Sequence, residues 1–468
     1  KRSLVMTQPQ TGHETKVLTM TSELWSALGG PPDLVNRVEV AGEGALPSIF
    51  AVSDFATAAI AAAGLAIAEW AEARSETSPA VRVDRRLASL WFGFSIAPQG
   101  WALPPAWDPV AGDYRCADGW IRLHTNAPHH LKAALGVLGA APERESVAAV
   151  VATWCGGELE AAIVANGGCA AVMRSQQDWA EHPQGRAVLA EPLMRMDKGS
   201  GAGPFAKDFD AARPLNGIKV LDLTRVLAGP VATRFLAGFG ADVLRIDPPS
   251  WEEPGVVPEV TLGKRCARLD LKTHAGLERF KALLAEADVL VHGYRSDAME
   301  ALGLGADVRA GIRPGLIDVS HDAYGWTGPW DTRRGFDSLV QMSCGIAAAG
   351  MAHAGADKPV PLPVQALDQG AGYLLAAAAV RGLALRHVRA TGSQWRTSLA
   401  RVGGFLASHP QAPITSQIGK PDVSDYSDVV EQTEWGPALR LRSPVTLGDA
   451  VMRWGRPAGE LGASPAVW

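Results

Sequence analysis

Two aspartates stand where a carboxylate could do chemistry, each at the start of a long alanine-rich run. Asp54 opens one run, and Asp368 opens the other 314 residues later (54 to 368). An aspartate before an apolar helical run is an ordinary helix N-cap. The same place suits a reactive carboxylate, because the helix dipole keeps the group ionised and free backbone N–H groups can stabilise a developing oxyanion. Both roles need the same position, so both stay open.

Strand-like apolar segments alternate with amphipathic helical segments in the second half of the chain. The predicted strands cover residues 218–223, 241–247, 289–292 and 315–320. This alternation predicts a parallel sheet with helices on both faces, and ligands of such sheets bind beyond the carboxyl ends of the strands. The residues expected at those ends are Arg225, the Gly293-Tyr294-Arg295 run and the Ser320-His321-Asp322 run.

Composition excludes several classes of function. A length of 468 residues predicts two or three lobes, and a net charge of −5 disfavours a nucleic-acid or membrane-surface protein. The five cysteines are scattered and have no metal-ligand spacing, which indicates reduced thiols, no zinc site and a cytoplasmic protein. The turn after the first predicted strand lacks a G-x-G-x-x-G loop, so a nicotinamide enzyme is not expected.

The two aspartate segments also resemble each other. They register without gaps at the shift of 314 residues, which superposes Arg82 on Arg396 and Asp84 on Ser398. A repeat of so long a period suggests duplication of a whole domain, although two alanine-rich core helices can look alike by composition alone. The predicted division is an N-terminal extension (1–45), an aspartate-helix segment (46–107), a small α+β domain (108–150), a return segment (151–200), a linker (201–214), a nucleotide-type domain (215–400) and a C-terminal segment (401–468).

A series of motifs in the second half carries a family resemblance. They include LDLTRVLAGP at 221–230, GADVLRIDPP at 240–249, GKRCARLDLKTHAG at 263–276, ADVLVHGYR at 287–295 and RRGFDSLVQ at 333–341. In this order, residues 215–400 closely resemble the nucleotide-fold part of family III CoA-transferases, the group of formyl-CoA and carnitine CoA-transferases. Residues 46–200 resemble the family's later part. The resemblance implies an α/β fold: a doubly wound parallel-sheet nucleotide-type domain plus a smaller α+β domain, in a tandem or rearranged copy.

The resemblance also implies a reaction. In this family the aspartate at the start of the alanine-rich helix is the nucleophile, which makes Asp368 the expected catalytic residue of an acyl-CoA:carboxylate CoA-transferase. It would pass through a mixed anhydride and an aspartyl-CoA thioester. The implied partners are an acyl-CoA donor, a small carboxylic acid acceptor and a second copy of the chain, with coenzyme A as the substrate-borne cofactor and no metal. Asp54 holds the matching place in a first copy without a nucleotide-fold start, and we interpret it as a structural remnant.

Seven residues match positions where the family gathers coenzyme A contacts. They are Arg225, Val226, Ala228, Lys264, Arg265, Tyr294 and Arg295. Basic side chains there would pair with the phosphates of the ligand. The chain departs from the family at Gly293, where an asparagine is usual, and at His321-Asp322-Ala323-Tyr324-Gly325, where a Ser-Gly-Phe-Gly turn is usual.

Two other functions compete with CoA transfer. An α-methylacyl-CoA racemase would need a second acid/base group opposite the aspartate, and the racemases carry it in a Gly-His-Asp run. Here that run is Gly335-Phe336-Asp337, and phenylalanine carries no proton, so the racemase would need His321 to reach the same face. The third hypothesis is a catalytically inert coenzyme A-binding homologue.

Overall fold

A computed structural model describes residues 12–203, 205, 208–295 and 297–468. The predicted N-terminal extension is therefore described from residue 12 onward, and three positions of the predicted linker (204, 206 and 207) lie outside the described residues. The α-helices, α1 to α17, are Gly12–Ala27, Val52–Ser75, Arg85–Trp91, Pro128–Leu138, Arg144–Val151, Gly156–Ala165, Gln176–Glu181, Pro183–Ala190, Ala228–Gly238, Val257–Val260, His274–Glu286, Ala298–Ala301, Ala306–Ile312, Asp337–Ser343, Ile346–Ala354, Ala366–Arg389 and Leu399–Ala407.

The strands are numbered in the same way. From β1 to β17 they are Val38–Ala41, Val81–Asp84, Ile96–Pro98, Gly112–Cys116, Gly119–Leu123, Ala170–Val172, Arg195–Gly201, Lys219–Leu223, Asp242–Asp247, Lys264–Arg268, Val289–His292, Ile317–Asp322, Thr391–Ser398, Glu431–Thr433, Gly436–Arg440, Val445–Leu447 and Ala450–Val451. Two short 3-10 helices cover Pro32–Arg37 and Val423–Asp425.

A seven-stranded sheet with the order β10-β9-β8-β11-β12-β13-β7 organises the second half. Strands β8 to β13 are parallel, and β7 adds to the edge in the antiparallel direction. The chain winds outward from β8 in one direction to β10 and in the other from β11 to β13. The loops after β8 and β11 therefore bound a crevice at the point where the winding reverses, which is where such sheets bind ligands. The predicted doubly wound parallel sheet is confirmed.

Both faces of this sheet are buried, as its near-continuous apolar strands predict. Successive residues of one strand enter different cores: Val220 packs on the face covered by α9 and α16, and Leu221 packs on the face covered by α11. Alternation along β9 is the same, with Val243 on the first face and Leu244 on the second. The α16 face belongs to the large core, so the helix that carries Asp368 is anchored along its length.

One segment differs from the sequence interpretation. Gly201, the first residue of the predicted linker, is the last residue of β7 and pairs with β13. An edge strand needs only backbone hydrogen bonds on one side, so a composition typical of a linker is compatible with it.

The small α+β lobe contains the predicted hairpin, with Cys116 opposite Gly119 across the turn. Its third strand, β6, pairs with β5 and lies beyond the predicted boundary at residue 150. Cys169 and Ala171 on this lobe pack against Leu339 and Met342 of α14. The lobe therefore rests on the helix that begins at Asp337.

The two aspartate segments have the same element order at the same offset. Helices α2 and α16 are each 24 residues long, and both end in a left-handed residue, Glu76 and Ala390. A strand and a further helix follow in each half, and that helix is capped by Asp84 in one half and Ser398 in the other. The duplication itself stays a prediction.

Helices α2 and α16 pack against each other in the core. A side chain at Gly370 would collide with the ring of Phe55, so the glycine permits this close approach. By length and composition α2 could cross a membrane, but 94% of its apolar stretch is buried inside the protein. The C-terminal strands complete the first half, with β16 on β2 and β15 on β3.

Candidate active site

Asp368 is the third residue of α16 and is 7% exposed. It is not the N-cap, because the helix begins two residues earlier, and the N-cap prediction is therefore wrong. The backbone N–H groups of Leu367 and Asp368 both donate to Oδ2 of Asp337, each at 2.9 Å. A carboxylate from α14 thus caps the helix from outside and places two carboxyl groups side by side.

Asp337 is itself held in place by a short chain of hydrogen bonds. Its Oδ1 accepts from the side-chain amide of Gln341 at 2.5 Å, and Oε1 of Gln341 accepts from the backbone of Leu362 at 2.8 Å. Because each acceptor in this chain has a donor, the orientation of the Asp337 carboxylate is well defined. The first turn of α16 is fixed with it.

The two carboxyl groups compete for ionisation. Burial, and then the nearby charge of Asp337, raise the pKa of Asp368 well above its ordinary value, while burial raises the pKa of Asp337 to about 6. A helix N-terminus stabilises an anion by about 0.3–1 kcal/mol, which is too little to offset full burial beside a second carboxylate. The expectation that the helix end keeps Asp368 ionised is therefore wrong: burial and the neighbouring carboxylate favour the protonated form of Asp368.

An Asp337→Asn change is expected to shift the pH dependence of any reaction at Asp368 toward acid. Removing the neighbouring negative charge lowers the pKa of Asp368, so the reactive carboxylate forms at lower pH. The pH profile of kcat/KM measures this shift.

The same change should alter the pH dependence of stability. A carboxyl whose folded-state pKa is raised stabilises the fold fully below its unfolded pKa of about 4 and loses that contribution as pH rises through about 6. Between pH 4 and 7, the free energy of unfolding measured by chemical denaturation should fall less steeply in Asp337→Asn than in the wild type. An Asp242→Asn variant, changed at a partly exposed carboxylate paired with Arg265, is the control, and an equal shift in both would contradict the assignment.

A cavity of about 340 Å³ lies beside the start of α16. Its wall includes Gln369, which follows Asp368, and Ser338, which follows Asp337, but neither aspartate itself. Leu227 from the loop after β8 also lines it, and the small lobe contributes Arg122. The cavity therefore lies between the start of α16, the small lobe and the loop after β8.

The loop after β8 carries a strained residue at the crevice. Val226 has a φ of +64°, an outlier for a β-branched side chain, and its N–H donates to Oε2 of Glu253 at 2.9 Å. A side chain at Gly229 would collide with Thr224, so the turn into α9 requires glycine there. One turn beyond Asp368 on its helix, Gly372 faces the carbonyl oxygen of Ala228. Asp368 therefore lies on the side of α16 that faces this loop.

Arg225, the cation expected at the crevice, lies beside two aromatic rings. The Arg225 guanidinium lies 4.6 Å from the ring centre of Trp251 and 5.4 Å from that of Tyr294, and it donates to the Tyr294 hydroxyl at 3.2 Å. The structure thus brings together Arg225, Val226 and Tyr294 at the point where the sheet winding reverses. Arg295, on the adjoining loop, is partly exposed and lies 3.7 Å from Asp297.

Two other residues expected to contact coenzyme A, Lys264 and Arg265, lie away from the crevice. The Lys264 ammonium is fully buried and donates to Asp222 at 3.1 Å and to the carbonyl of Pro230 at 3.0 Å, so it stabilises the sheet and is not a free cation. Arg265 is the second residue of β10 and pairs with Asp242 at the start of β9. The starts of parallel strands share one edge of the sheet, and this is the edge opposite the crevice. Neither side chain is in a position to contact a ligand there.

Sequence comparison relates part of the chain to known proteins. The model of CoA-transferase family III matches residues 215–421. The chain contains a domain of CoA-transferase family III. Across 37% of the chain it is 34% identical to a probable fatty acyl-CoA transferase of Mycobacterium tuberculosis, of which it covers 47%. Across 34% of the chain it is 33% identical to the succinyl-CoA:glutarate CoA-transferase of Homo sapiens, of which it covers 40%.

One solved structure is similar to part of the chain. The crystal structure of a hypothetical protein from Mycobacterium tuberculosis is 30% identical and matches 42% of this chain and 57% of its own, with a TM-score of 0.38. The chain thus spans about half the length, or less, of the curated relatives named above. What the whole protein does is therefore a matter for proposal.

Within the family III domain, Arg225→Ala is expected to weaken coenzyme A binding about 10-fold or more, because a phosphate-pairing cation between two rings is removed. Arg265→Ala is the matched control, since its guanidinium lies at the opposite edge and should leave the Kd unchanged. Isothermal titration with coenzyme A measures both. Equal losses in the two variants would show that the ligand does not use the crevice.

Asp54 has a different environment from that of Asp368. It is also the third residue of its helix, but it is 0% exposed, and its Oδ1 accepts from Nη1 of the buried Arg85 at 2.5 Å. Lys16 lies 3.9 Å from its other oxygen. A carboxylate neutralised in this way is a poor nucleophile, which fits the interpretation of Asp54 as a structural remnant.

Two histidines, His321 and His124, are relevant to the racemase alternative. The His321 ring lies against Gly293, where a side-chain β-carbon would come within 2.8 Å of Nε2, and burial lowers its pKa to about 4. The two departures from the family, at positions 293 and 321, therefore meet in space. His124 of the small lobe stacks on Phe336 with ring centres 3.7 Å apart, and burial lowers its pKa to about 3. Both imidazole rings are therefore uncharged at neutral pH.

Sequence reasoning missed the site roles of Asp337, Glu253, Trp251 and Arg122. Asp337 was noticed within the RRGFDSLVQ motif, but no periodicity links it to a helix that begins 29 residues later. Arg122 lies on a hairpin of another lobe.

Proposed function

We propose that this protein is an acyl-CoA:carboxylate CoA-transferase that uses Asp368 as a covalent nucleophile. The observation that carries the proposal is the placement of Asp368. It stands at the first turn of α16, on the side that faces the loop after β8, and the residue that follows it, Gln369, lines a cavity of about 340 Å³. An acyl group in the cavity and coenzyme A in the sheet crevice would meet at this carboxyl. The domain of CoA-transferase family III supports the assignment.

The reaction follows from what a carboxylate can attack. An oxygen of Asp368 attacks the carbonyl of the donor thioester, which forms a mixed anhydride and releases the thiolate of coenzyme A. The thiolate attacks the aspartyl carbonyl, and the donor acid leaves as its carboxylate. The acceptor carboxylate then repeats the two steps in reverse and leaves as its thioester. No net proton is gained or lost, and Asp368 returns to its starting state.

The residues around Asp368 explain why water does not intercept the intermediates. The carboxyl is buried, and the cavity wall closes it from one side. The backbone N–H groups at the start of α16 already donate to Asp337, so they are not free to stabilise an anion at Asp368. The reactivity of the Asp368 carboxyl therefore depends on its neighbour Asp337. Asp368 must be ionised to attack the donor thioester. When a donor enters, the proton of the carboxyl pair must therefore reside on Asp337 or leave the site.

The test is covalent trapping. The protein is incubated with a panel of acyl-CoA donors and quenched with neutral hydroxylamine, and the peptide around Asp368 is examined by mass spectrometry. An aspartyl hydroxamate at Asp368, absent from Asp368→Ala, is the expected result. Modification at Asp54 would move the site to the first half. No adduct with any donor, together with tight coenzyme A binding, would favour the inert homologue.

The racemase is the second candidate, and the same samples test it. Racemisation would exchange the hydrogen next to the thioester carbonyl with deuterium from the solvent. We expect no such exchange, because Phe336 carries no proton and burial keeps His124 neutral. A homodimer and a cytoplasmic location are further proposals that rest on the family resemblance and on the cysteine usage, and sedimentation of the pure protein tests the first.

A further inference from the structure

The carboxylate of Glu253, in the segment between β9 and α10, accepts hydrogen bonds from three residues beside the crevice. Its Oε1 accepts from Nη2 of Arg245 at 2.5 Å. Its Oε2 accepts from the backbone N–H of Val226 at 2.9 Å and from the indole N–H of Trp251 at 3.0 Å. The Glu253 side chain is 7% exposed, so water does not readily replace it as the acceptor of these donors.

One oxygen of this carboxylate is held by the core of the sheet. Arg245 lies on β9 and is 0% exposed, and its guanidinium also donates to both oxygens of Asp247, at 2.8 and 3.0 Å. Two carboxylates on one guanidinium fix its plane, because charge-assisted hydrogen bonds are short and directional. The position of Glu253 is therefore set by the sheet and not by the loop after β8.

The other oxygen holds two groups that flank Arg225. Val226 follows Arg225 in the chain, and its φ of +64° is rarely adopted by a β-branched residue, so the hydrogen bond to Glu253 helps to maintain this strained conformation. The hydrogen bond from Trp251 to the same oxygen orients its ring, whose centre lies 4.6 Å from the Arg225 guanidinium. A single oxygen atom thus fixes the backbone next to Arg225 and the ring beside its side chain.

We propose that Glu253 is a positioning residue for coenzyme A: through Val226 and Trp251 it holds the Arg225 guanidinium where it pairs with a phosphate of the ligand. The inference rests on the proposed function for the place of coenzyme A in the crevice. A cation that is already held in place loses less conformational entropy when the ligand binds. Loss of Glu253 should therefore weaken binding of coenzyme A and leave the chemical step at Asp368, on a different element, unchanged.

The experiment combines removal of the carboxylate with relief of the strain. The Kd for coenzyme A is measured by isothermal titration for the wild type, Glu253→Ala, Val226→Gly, the double variant and the control Glu252→Ala. Glu252 is the adjacent carboxylate, but its side chain is 68% exposed and its hydrogen bond goes to Arg268. The rate of hydroxamate formation at Asp368 is measured with a saturating concentration of the donor that labels the wild type fastest. Thermal unfolding shows whether each variant is folded.

Glu253→Ala should raise the Kd about 10-fold, while the labelling rate at saturating donor stays within about 2-fold of the wild type. Glycine adopts a φ of +64° without strain, so Val226→Gly removes one of the two needs for the carboxylate. In the Val226→Gly background, Glu253→Ala should therefore raise the Kd by only about 3-fold, which is the share left to Trp251. Glu252→Ala should bind coenzyme A like the wild type.

An unchanged Kd in Glu253→Ala, an equal rise in Glu252→Ala, or the same increase in both backgrounds would overturn the inference. If Glu253→Ala shows no thermal transition, Trp251→Phe replaces it, since phenylalanine keeps a ring beside Arg225 and loses the N–H. Its Kd should then rise about 3-fold, and an unchanged Kd would equally overturn the inference. The expected Kd values without labelling of Asp368 by any donor would support the role of Glu253 and refute the transferase.

Discussion

Asp368→Asn is expected to abolish CoA transfer, with a loss of at least about 10⁴-fold in kcat, because the amide cannot form the anhydride or the thioester. The change keeps the size and shape of the side chain. Its effect should therefore be confined to chemistry, and the Kd for coenzyme A should remain that of the wild type. Exchange of labelled coenzyme A into an acyl-CoA donor measures the loss, and titration calorimetry measures the Kd.

The same variant should be slightly more stable than the wild type. Burial and the neighbouring Asp337 raise the pKa of Asp368, so the fold favours an uncharged side chain there, and asparagine supplies one. We expect the Tm at pH 8 to rise by about 1–2 °C. Active sites commonly trade stability for reactivity in this way. A variant that keeps measurable transfer, or one that unfolds earlier than the wild type, would contradict the role assigned to Asp368.

Arg85→Met is expected to destabilise the protein strongly, by about 3–5 kcal/mol, since it leaves Asp54 buried without its main partner. Lys16, at 3.9 Å from the second carboxylate oxygen, would offset part of this cost. The double variant Asp54→Leu with Arg85→Met removes both charges and should recover most of the stability. Denaturant unfolding of the two single variants and the double variant gives the coupling between the residues.

The neighbouring pair Arg82 and Glu39 provides the control. Its guanidinium also lies 2.6 Å from a carboxylate, but both side chains are more than half exposed. Arg82→Met should change stability little, because solvent screens an exposed pair. The folded fraction of Arg85→Met should still form the hydroxamate at Asp368. Loss of labelling in that fraction would mean that Asp54 and Arg85 belong to the reactive site after all.

Much of the fold could be predicted from periodicity and turn residues alone. The alternation of apolar strands with amphipathic helices in residues 215–320 indicates a parallel sheet, and β8, β9, β11 and β12 lie within two residues of their predicted starts. Local patterns are sufficient here because a strand buried on both faces is apolar throughout. The Asp118-Gly119 pair at the tip of the β4-β5 hairpin is a further local signal, because the backbone conformation of such a turn favours few residue types.

Local patterns were less informative about the site. Arg225, Lys264 and Arg265 all belong to motifs of the family, but Arg225 lies at the crevice, Lys264 is buried in an ion pair and Arg265 is at the opposite edge of the sheet. A motif says which residue types follow one another, whereas the direction of a side chain depends on its register in the sheet and on the charges already packed around it.

The sequence by itself determined the doubly wound sheet, the two alanine-rich helices and the aspartate near the start of each, because these features arise from residues close together in the chain. Only the tertiary structure decided that the two aspartates differ. The carboxylate of Asp54 pairs with the guanidinium of Arg85, whereas burial and the charge of the neighbouring Asp337 raise the pKa of Asp368. Those partners come from other elements, 31 residues away in each case (54 to 85, 337 to 368), and the ionisation of a buried carboxyl depends on the charges that packing brings within a few ångströms.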